Sequence, residues 1–247
     1  MGSALNELPA PLLERLRAAE RVVVLTGAGI SAESGVPTFR DAQTGLWAEY
    51  RAEELATPEA FLENPRLVWD WYAWRRQLTE RAEPNPGHHA LVELAQRYPH
   101  FSLVTQNVDG LHARAGSRDV IELHGNIEID LCFDEGTPVD EHAADGSVPP
   151  HCPRCGAYVR PGVVWFGEAL PRRALERAEA AVRSCDVVLS IGTSGLVQPA
   201  AGLPLIAKQS GALLVEINPN ATPLTPHAHY VLSGPAGKML PELVRAL

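Results

Sequence analysis

Residues 21–32 read Arg-Val-Val-Val-Leu-Thr-Gly-Ala-Gly-Ile-Ser-Ala (RVVVLTGAGISA). The first six are apolar on both alternating faces, the pattern of a strand buried in a parallel sheet. The next six form a G-x-G-x-x-A turn through Gly27, Ala28, Gly29 and Ala32. Glycines at such a turn let backbone approach a pyrophosphate, and a helix starting there offers N–H groups and positive dipole. Taken alone, the turn is equally a plain strand-to-helix connection. The acidic residue that a dinucleotide fold places ~20 residues on, at the end of the second strand, is missing. That stretch reads PTFRDAQTGLW, which is no strand, and it disfavours a dehydrogenase.

Working outward, further strands are expected at Phe101–Thr105, Val120–Leu123, Val187–Ile191, Leu213–Ile217 and His229–Leu232. Helical periodicity marks Ala10–Glu20, Arg66–Arg81, Gly87–Gln96, Arg172–Arg183, Gln198–Gln209 and Pro241–Ala246. Strands alternating with helices argue an α/β fold with a parallel sheet. Two stretches break the alternation. Residues 35–86 are too long for a simple crossover, and 126–162 is polar, rich in Pro and Gly, and carries three of the four cysteines. Both read as excursions that build a smaller unit. The division is therefore 1–34, 87–125 and 163–247 for the sheet domain, and 35–86 with 126–162 for the small one.

Composition narrows the function. The 247 residues are 45% hydrophobic and 21% charged, with formal net charge −9. A net-acidic chain without a basic block is a poor nucleic-acid partner. No apolar run approaches the ~18 residues of a membrane span, and the N-terminus has no secretory pattern. Lysine occurs only at Lys208 and Lys238, a bias that fits a GC-rich bacterial genome.

The motifs then fall in a telling order. GAGISAESGVPTFRD (27–41) is followed by TQNVDGLH (105–112), ELHG (122–125), CPRCG (152–156), VVWFGE (163–168), IGTS (191–194) and EIN (216–218). This succession resembles the sirtuin (Sir2) family of NAD-dependent protein-lysine deacylases, from about Arg21 to Gly237. The resemblance implies a Rossmann-like parallel sheet with helices on both faces. A smaller zinc-ribbon-like and helical domain joins it, with NAD in the cleft between them.

Carried over, Gly27, Ala28, Gly29 and Ala32 line the pyrophosphate, and Phe39 and Arg40 cover the cofactor. Gln106, Asn107 and Asp109 form the nicotinamide and ribose pocket; polar residues leaving a buried strand need partners in any case. Gly192, Thr193, Ser194 and Asn218 meet phosphate and ribose, and Ala236 borders adenine. Asn218 before Pro219 is also a common turn start. His124 is the implied general base, a role suited to imidazole, whose unperturbed pKa is ~6.5. The implied chemistry is attack of the acyl-lysine oxygen on the nicotinamide ribose, loss of nicotinamide, and acyl transfer to ADP-ribose. Val164 and Phe166 flank the acyl-lysine stem, while Gly167 and Glu168 pair with peptide backbone by strand addition.

In LVWDWYAWRRQL (67–78), Tyr72 and Arg75 share a helical face at i, i+3. The pair resembles the Tyr-x-x-Arg of desuccinylating and demalonylating sirtuins. A guanidinium matches a terminal carboxylate with two parallel hydrogen bonds, and Ala56 leaves room for a longer acyl chain. Helical spacing alone favours a core stripe with solvated arginines, and only the resemblance reverses that reading.

The resemblance also implies one structural zinc held by two C-x-x-C pairs. Cys152 and Cys155 complete one pair. Cys132 begins the other, but Glu135 stands where its second cysteine belongs. Glu135, Asp134, His142 and His151 are candidates for a fourth ligand, and loss of the metal is the alternative. Cys185 opens a buried strand and reads as core.

The leading expectation is an NAD-dependent deacylase acting on succinyl- and malonyl-lysine proteins, with acetyl also used, in the cytoplasm. The alternatives are a plain deacetylase, a mono-ADP-ribosyltransferase and a non-catalytic NAD- or ADP-ribose-binding module. Protein targets and oligomeric state are left open.

Overall fold

The computed structural model of the chain describes residues 8–37, 50–144 and 146–247. Helix α1 (Ala10–Ala18) leads into β1 (Arg21–Thr26). Then come α2 (Ala52–Leu55), α3 (Pro58–Glu63), α4 (Pro65–Arg81), α5 (Pro86–Ala95) and β2 (His100–Thr105). A short α6 (Leu111–Arg114) and β3 (Ile121–Glu122) precede β4 (Gly125–Cys132) and β5 (Val159–Val163). The chain closes with α7 (Arg172–Ser184), β6 (Val187–Ile191), α8 (Leu203–Gln209), β7 (Leu213–Asn218), β8 (Tyr230–Ser233) and α9 (Ala236–Ala246).

Six strands form one parallel sheet in the order β3-β2-β1-β6-β7-β8. Period-two alternation decides which helices cover it. Val22 and Val24 of β1 pack with Leu12, Leu16, Leu91, Leu94, Leu240 and Leu243, on the side of α1, α5 and α9. Val23 and Leu25 point the other way, onto Ala178, Val182, Leu203 and Ala207 of α7 and α8. Both faces are dry, as a parallel sheet requires.

The smaller unit has its own core. Phe61, Val68, Trp71 and Tyr72 from α3 and α4 pack on Ile127 of β4, Val163 of β5 and Trp165. β4 and β5 pair antiparallel as a separate two-stranded sheet with a register shift between Gly125 and Asp130. Local signals set the helix starts: the Thr57 hydroxyl accepts from Ala60 N–H, and the Asn64 side chain accepts from Leu67 N–H ahead of the turn-competent Pro65.

Three expectations need correction. The G-x-G turn leads into two 3-10 turns, Ala28–Ile30 and Ala32–Ser34, and not into an α-helix; Gly35 then takes φ 80 and ends the run. The helix expected over 198–209 is α-helical only from Leu203, with a 3-10 turn at Ala200–Gly202 before it. α9 starts at Ala236, five residues ahead of the expected Pro241, because its apolar stripe of Met239, Leu240, Leu243 and Val244 outweighs the one hydrogen bond that Pro241 removes. Among the described residues no helix is long and apolar enough to cross a membrane.

Candidate active site

The chain runs from β1 outward to β2 and β3, then returns to place β6 on the other side of β1. Such a switch of direction is where open α/β sheets bind ligands, between the loops that leave the two strands. The loops leaving β1 and β6 touch at their base. Gly27 N–H donates to the Ile191 carbonyl (3.0 Å) and Gly29 N–H to the Gly192 carbonyl (2.9 Å). A Cβ on Gly29 would lie 2.7 Å from Gly192 Cα, and Gly192 itself sits at φ 59. The glycines thus allow two backbones to meet, in addition to any ligand approach. Each 3-10 turn begins with N–H groups that have no acceptor inside it. Next to this contact, Asn218 Nδ2 donates to the Thr193 carbonyl (2.8 Å), and Thr193 and Ser190 hydroxyls bond at 3.1 Å. Ser194 is half-buried beside them, and Ala236 is buried at the start of α9. Phe39 and Arg40 lie outside the described residues.

On the other side of β1, β2 ends in a buried polar cluster. The Ser31 hydroxyl donates to Asp109 Oδ2 (2.7 Å) and accepts from Asn107 Nδ2 (3.1 Å). Its one proton is then spent, so the 3.5 Å contact to His88 Nε2 needs that nitrogen as donor. His88 Nδ1 accepts from Asn85 N–H in a capping box that starts α5. Behind them the Thr26 hydroxyl meets Thr105 Oγ1 (2.8 Å) and His112 Nε2 (2.9 Å). Ser31, His88 and His112 were not singled out from the sequence. Their signals were there, in GAGIS, in NPGHH and at the close of TQNVDGLH.

Burial sets the protonation of this cluster. It pushes His88 down to about 4 and, with the nearby His88, His112 down to about 3. Among the described residues His112 Nδ1 has no partner, so a proton there would be an unsatisfied buried donor. Burial also raises the Asp109 carboxyl, against the Ser31 and Leu111 hydrogen bonds that favour its anion. Asn107 and Asp109 together offer amide donor, amide acceptor and carboxyl, the set that pairs with a carboxamide.

His124 follows β3. Its Nδ1 lies 3.0 Å from the Gln106 carbonyl, which can only accept, so Nδ1 carries the proton and Nε2 the lone pair. Burial lowers the His124 pKa, partly offset by the Gln106 bond. The His124 carbonyl receives Val164 N–H (2.8 Å), joining this histidine to the VVWFGE segment. Phe166 N–H in turn donates to the Ala56 carbonyl (2.9 Å). Residues 165–168 form a turn, with Gly167 at φ 88 and Glu168 N–H donating to the Trp165 carbonyl. The Glu168 side chain faces inward, paired with Arg160.

Tyr72 is buried and its hydroxyl accepts from Trp165 Nε1 (2.9 Å). Burial pushes its phenol up to about 12, so it stays protonated. The Arg75 guanidinium lies over the Trp71 ring (4.9 Å) and near Tyr72 (6.0 Å). Burial lowers its pKa, and the nearby Tyr72 and Asp109 oppose that shift. Ala56 and Tyr72 thus share one apolar cluster, with Arg75 beside Tyr72 and the Phe166 backbone beside Ala56, and these four line one wall. Arg76, by contrast, is structural, bound to the Ile127 carbonyl and Asp130.

The cysteines close a third cluster. Cys132, Glu135, Cys152 and Cys155 bring one ligand atom each within 4.8 Å of one another. Two matching knuckles hold them. Gly136 N–H bonds the Cys132 carbonyl and Gly156 N–H the Cys152 carbonyl, both at 2.9 Å, with both glycines at positive φ. Glu135 therefore occupies in its knuckle the place that Cys155 occupies in the other. Hydrogen bonds from Thr137 and Arg154 keep its carboxyl below the usual range. Three thiols and one carboxylate are a donor set that zinc accepts, and the Cys132 and Cys155 sulfurs already lie 3.4 Å apart. Of the other candidates, Asp134 lies outside this group, and His142 and His151 bond to Asp130 and to Ser147. Cys185 is buried beside Val182, as expected of a core residue.

Comparison with known proteins agrees with this architecture. The Sir2 family profile matches residues 27–199. The chain is 53% identical over 246 residues to the NAD-dependent protein deacylase of Ralstonia nicotianae, covering 99% of this chain and 100% of that protein. A solved Sir2 homologue–NAD complex superposes with a TM-score of 0.90 at 49% identity, covering 99% of this chain and 95% of that one. A Sir2–p53 peptide–NAD+ complex superposes at 0.84 with 31% identity, covering 96% and 97%. The Rossmann-like sheet with helices on both faces and a smaller domain is the fold that the sequence implied.

Proposed function

This chain belongs to the Sir2 family, and on that premise we propose that it is an NAD-dependent protein-lysine deacylase favouring succinyl- and malonyl-lysine over acetyl-lysine. The carrying observation is the wall formed by Ala56, Tyr72, Arg75 and Phe166, joined through Val164 to a histidine whose lone pair sits on Nε2. A protonated phenol and a half-buried guanidinium on one helical face match a terminal carboxylate better than a methyl group.

NAD would supply, when bound, an activated ribose carbon at which the acyl-lysine amide oxygen displaces nicotinamide, and a neighbouring ribose hydroxyl that receives the acyl group as lysine is freed. The chain's residues do the rest. Asn107 and Asp109 hold the carboxamide, with Ser31 fixing both, and Gln106 orients His124. Gly27, Ala28, Gly29 and Ala32 border the pyrophosphate, Gly192, Thr193, Ser194 and Asn218 hold phosphate and ribose, and Ala236 borders adenine. Phe39 and Arg40 shield the cofactor from water. His124 Nε2 takes the proton of a ribose hydroxyl. Val164 and Phe166 flank the lysine stem, and backbone groups of Gly167 and Glu168 pair with the peptide. The division into a sheet domain (1–34, 87–125 and 163–247) and a smaller unit sets the cleft.

Cys132, Glu135, Cys152 and Cys155 hold a structural zinc, and thiolates of this kind belong in a reducing cytoplasm. Paired turnover of one peptide carrying acetyl- or succinyl-lysine, with and without NAD, tests the proposal. NAD-dependent loss of succinyl ahead of acetyl, with acyl-ADP-ribose as product, is the expected result. Preference for acetyl removes the carboxylate specificity. Label passing from NAD to the protein acceptor instead of acyl-ADP-ribose turns the assignment to ADP-ribosyl transfer.

A further inference from the structure

Trp165 is buried, yet its one polar atom points at the acyl wall. The indole N–H can only donate, and it donates to the Tyr72 hydroxyl. A phenol has a single proton, so this bond determines where that proton can go. With a lone pair of Oη engaged by Trp165, the Tyr72 O–H turns to a different acceptor.

The indole itself is held on several sides. The Arg160 guanidinium carbon lies 3.4 Å from the ring centroid. Arg160 is fixed in turn by both Glu168 oxygens and by the Val163 carbonyl (2.8 Å). Glu168 Oε2 also accepts the backbone N–H of Trp165 (2.7 Å). Phe61 packs against the ring at 5.3 Å between centroids. A cation on the ring face draws on its π electrons and makes the indole N–H a stronger donor.

We propose that Trp165 is a positioning residue for acyl selectivity: by donating to Tyr72 Oη it commits the Tyr72 proton to the terminal carboxylate of the acyl chain. This rests on the succinyl and malonyl preference proposed above. A phenylalanine at 165 keeps an aromatic ring but loses the donor along with part of the indole's packing volume, so the substrate ratio and not the absolute rate carries the comparison. A hydroxyl that accepts while it donates is also more polarised, which strengthens its bond to the carboxylate.

The test uses Trp165→Phe, Tyr72→Phe and the double variant, with kcat/KM measured on succinyl- and acetyl-lysine forms of one peptide. Trp165→Phe is expected to lower the succinyl-to-acetyl ratio about fivefold, mainly through KM, the size of one hydrogen bond. The double variant is expected to be no worse than Tyr72→Phe alone, because Trp165 acts through that hydroxyl. In the wild type with 15N-labelled tryptophan, one indole N–H signal should move when succinyl-lysine peptide is added and stay still with acetyl-lysine peptide. A preference for succinyl in the wild type, with both substrates losing alike in Trp165→Phe or with losses that multiply in the double variant, overturns the positioning role alone. No wild-type preference for succinyl overturns both proposals. Should Trp165→Phe fail to fold, an indole signal unmoved by the succinyl peptide overturns the positioning role.

Discussion

His124 donates its Nδ1–H to the Gln106 carbonyl across 3.0 Å, and this single bond decides that the basic lone pair lies on Nε2. Burial lowers the pKa of the ring, with the Gln106 bond acting against that shift. The neutral base therefore persists to lower pH than in a free histidine. The acid limb of kcat/KM on the succinyl peptide should fall below ~6.5. His124→Asn should reduce NAD-dependent deacylation by about 10²–10⁴-fold. An acid limb above the ordinary histidine range would contradict the base assignment.

Arg75 is the proposed partner of the acyl carboxylate. Arg75→Met keeps length and apolar packing over Trp71 and removes the guanidinium. A hydrogen bond to a charged group contributes about 1.5–3 kcal/mol, so desuccinylation should fall by about 10–100-fold. Deacetylation should fall much less. Equal losses on the two peptides would mean that Arg75 supports the helix and not the carboxylate.

His88 and His112 are held neutral, at about 4 and about 3. Each is depressed in the folded chain, while the unfolded chain titrates near 6.5. Their contribution is complete above ~6.5 and is lost as pH falls through that window towards 4 and 3. Thermal midpoints should drop steeply from pH 6.5 to 4. His88→Gln retains the capping-box acceptor without the titration, so its midpoint should vary less with pH. An unchanged slope would show that His88 does not titrate as its burial demands.

Elemental analysis of the chain purified under reducing conditions should find about one zinc per molecule. Chelation should lower the thermal midpoint, since structural zinc contributes directly to folding free energy. Glu135→Cys completes a four-thiolate set and should slow zinc release to a colorimetric chelator. Glu135→Ala should speed it. Indifference of the release rate to residue 135 would remove Glu135 from the metal.

Much of the site was legible as a succession of motifs. Gln106, Asn107 and Asp109 announce themselves as polar residues leaving a buried strand, and Glu135 as an interruption in a cysteine pattern. Ser31, His88 and His112 lie in short motifs of their own, but a serine in a turn and histidines in helices carry no periodic signal that assigns them partners. Their meaning lies in bonds such as Ser31–Asp109, which join residues 78 apart.

What the amino-acid sequence determined by itself is the parallel sheet and the family of the chain. Val22 through Leu25 are apolar at consecutive positions, so both faces of the strand must be covered, and the ordered motifs admit one fold. Tertiary structure alone decided that Glu135 lies with Cys132, Cys152 and Cys155 while His142 and His151 bond elsewhere, and that Trp165 donates to Tyr72. Trp165 and Tyr72 stand 93 residues apart. Hydrogen-bond direction depends on where two side chains meet in space, and spacing along a chain encodes only neighbours on one strand or one helical turn.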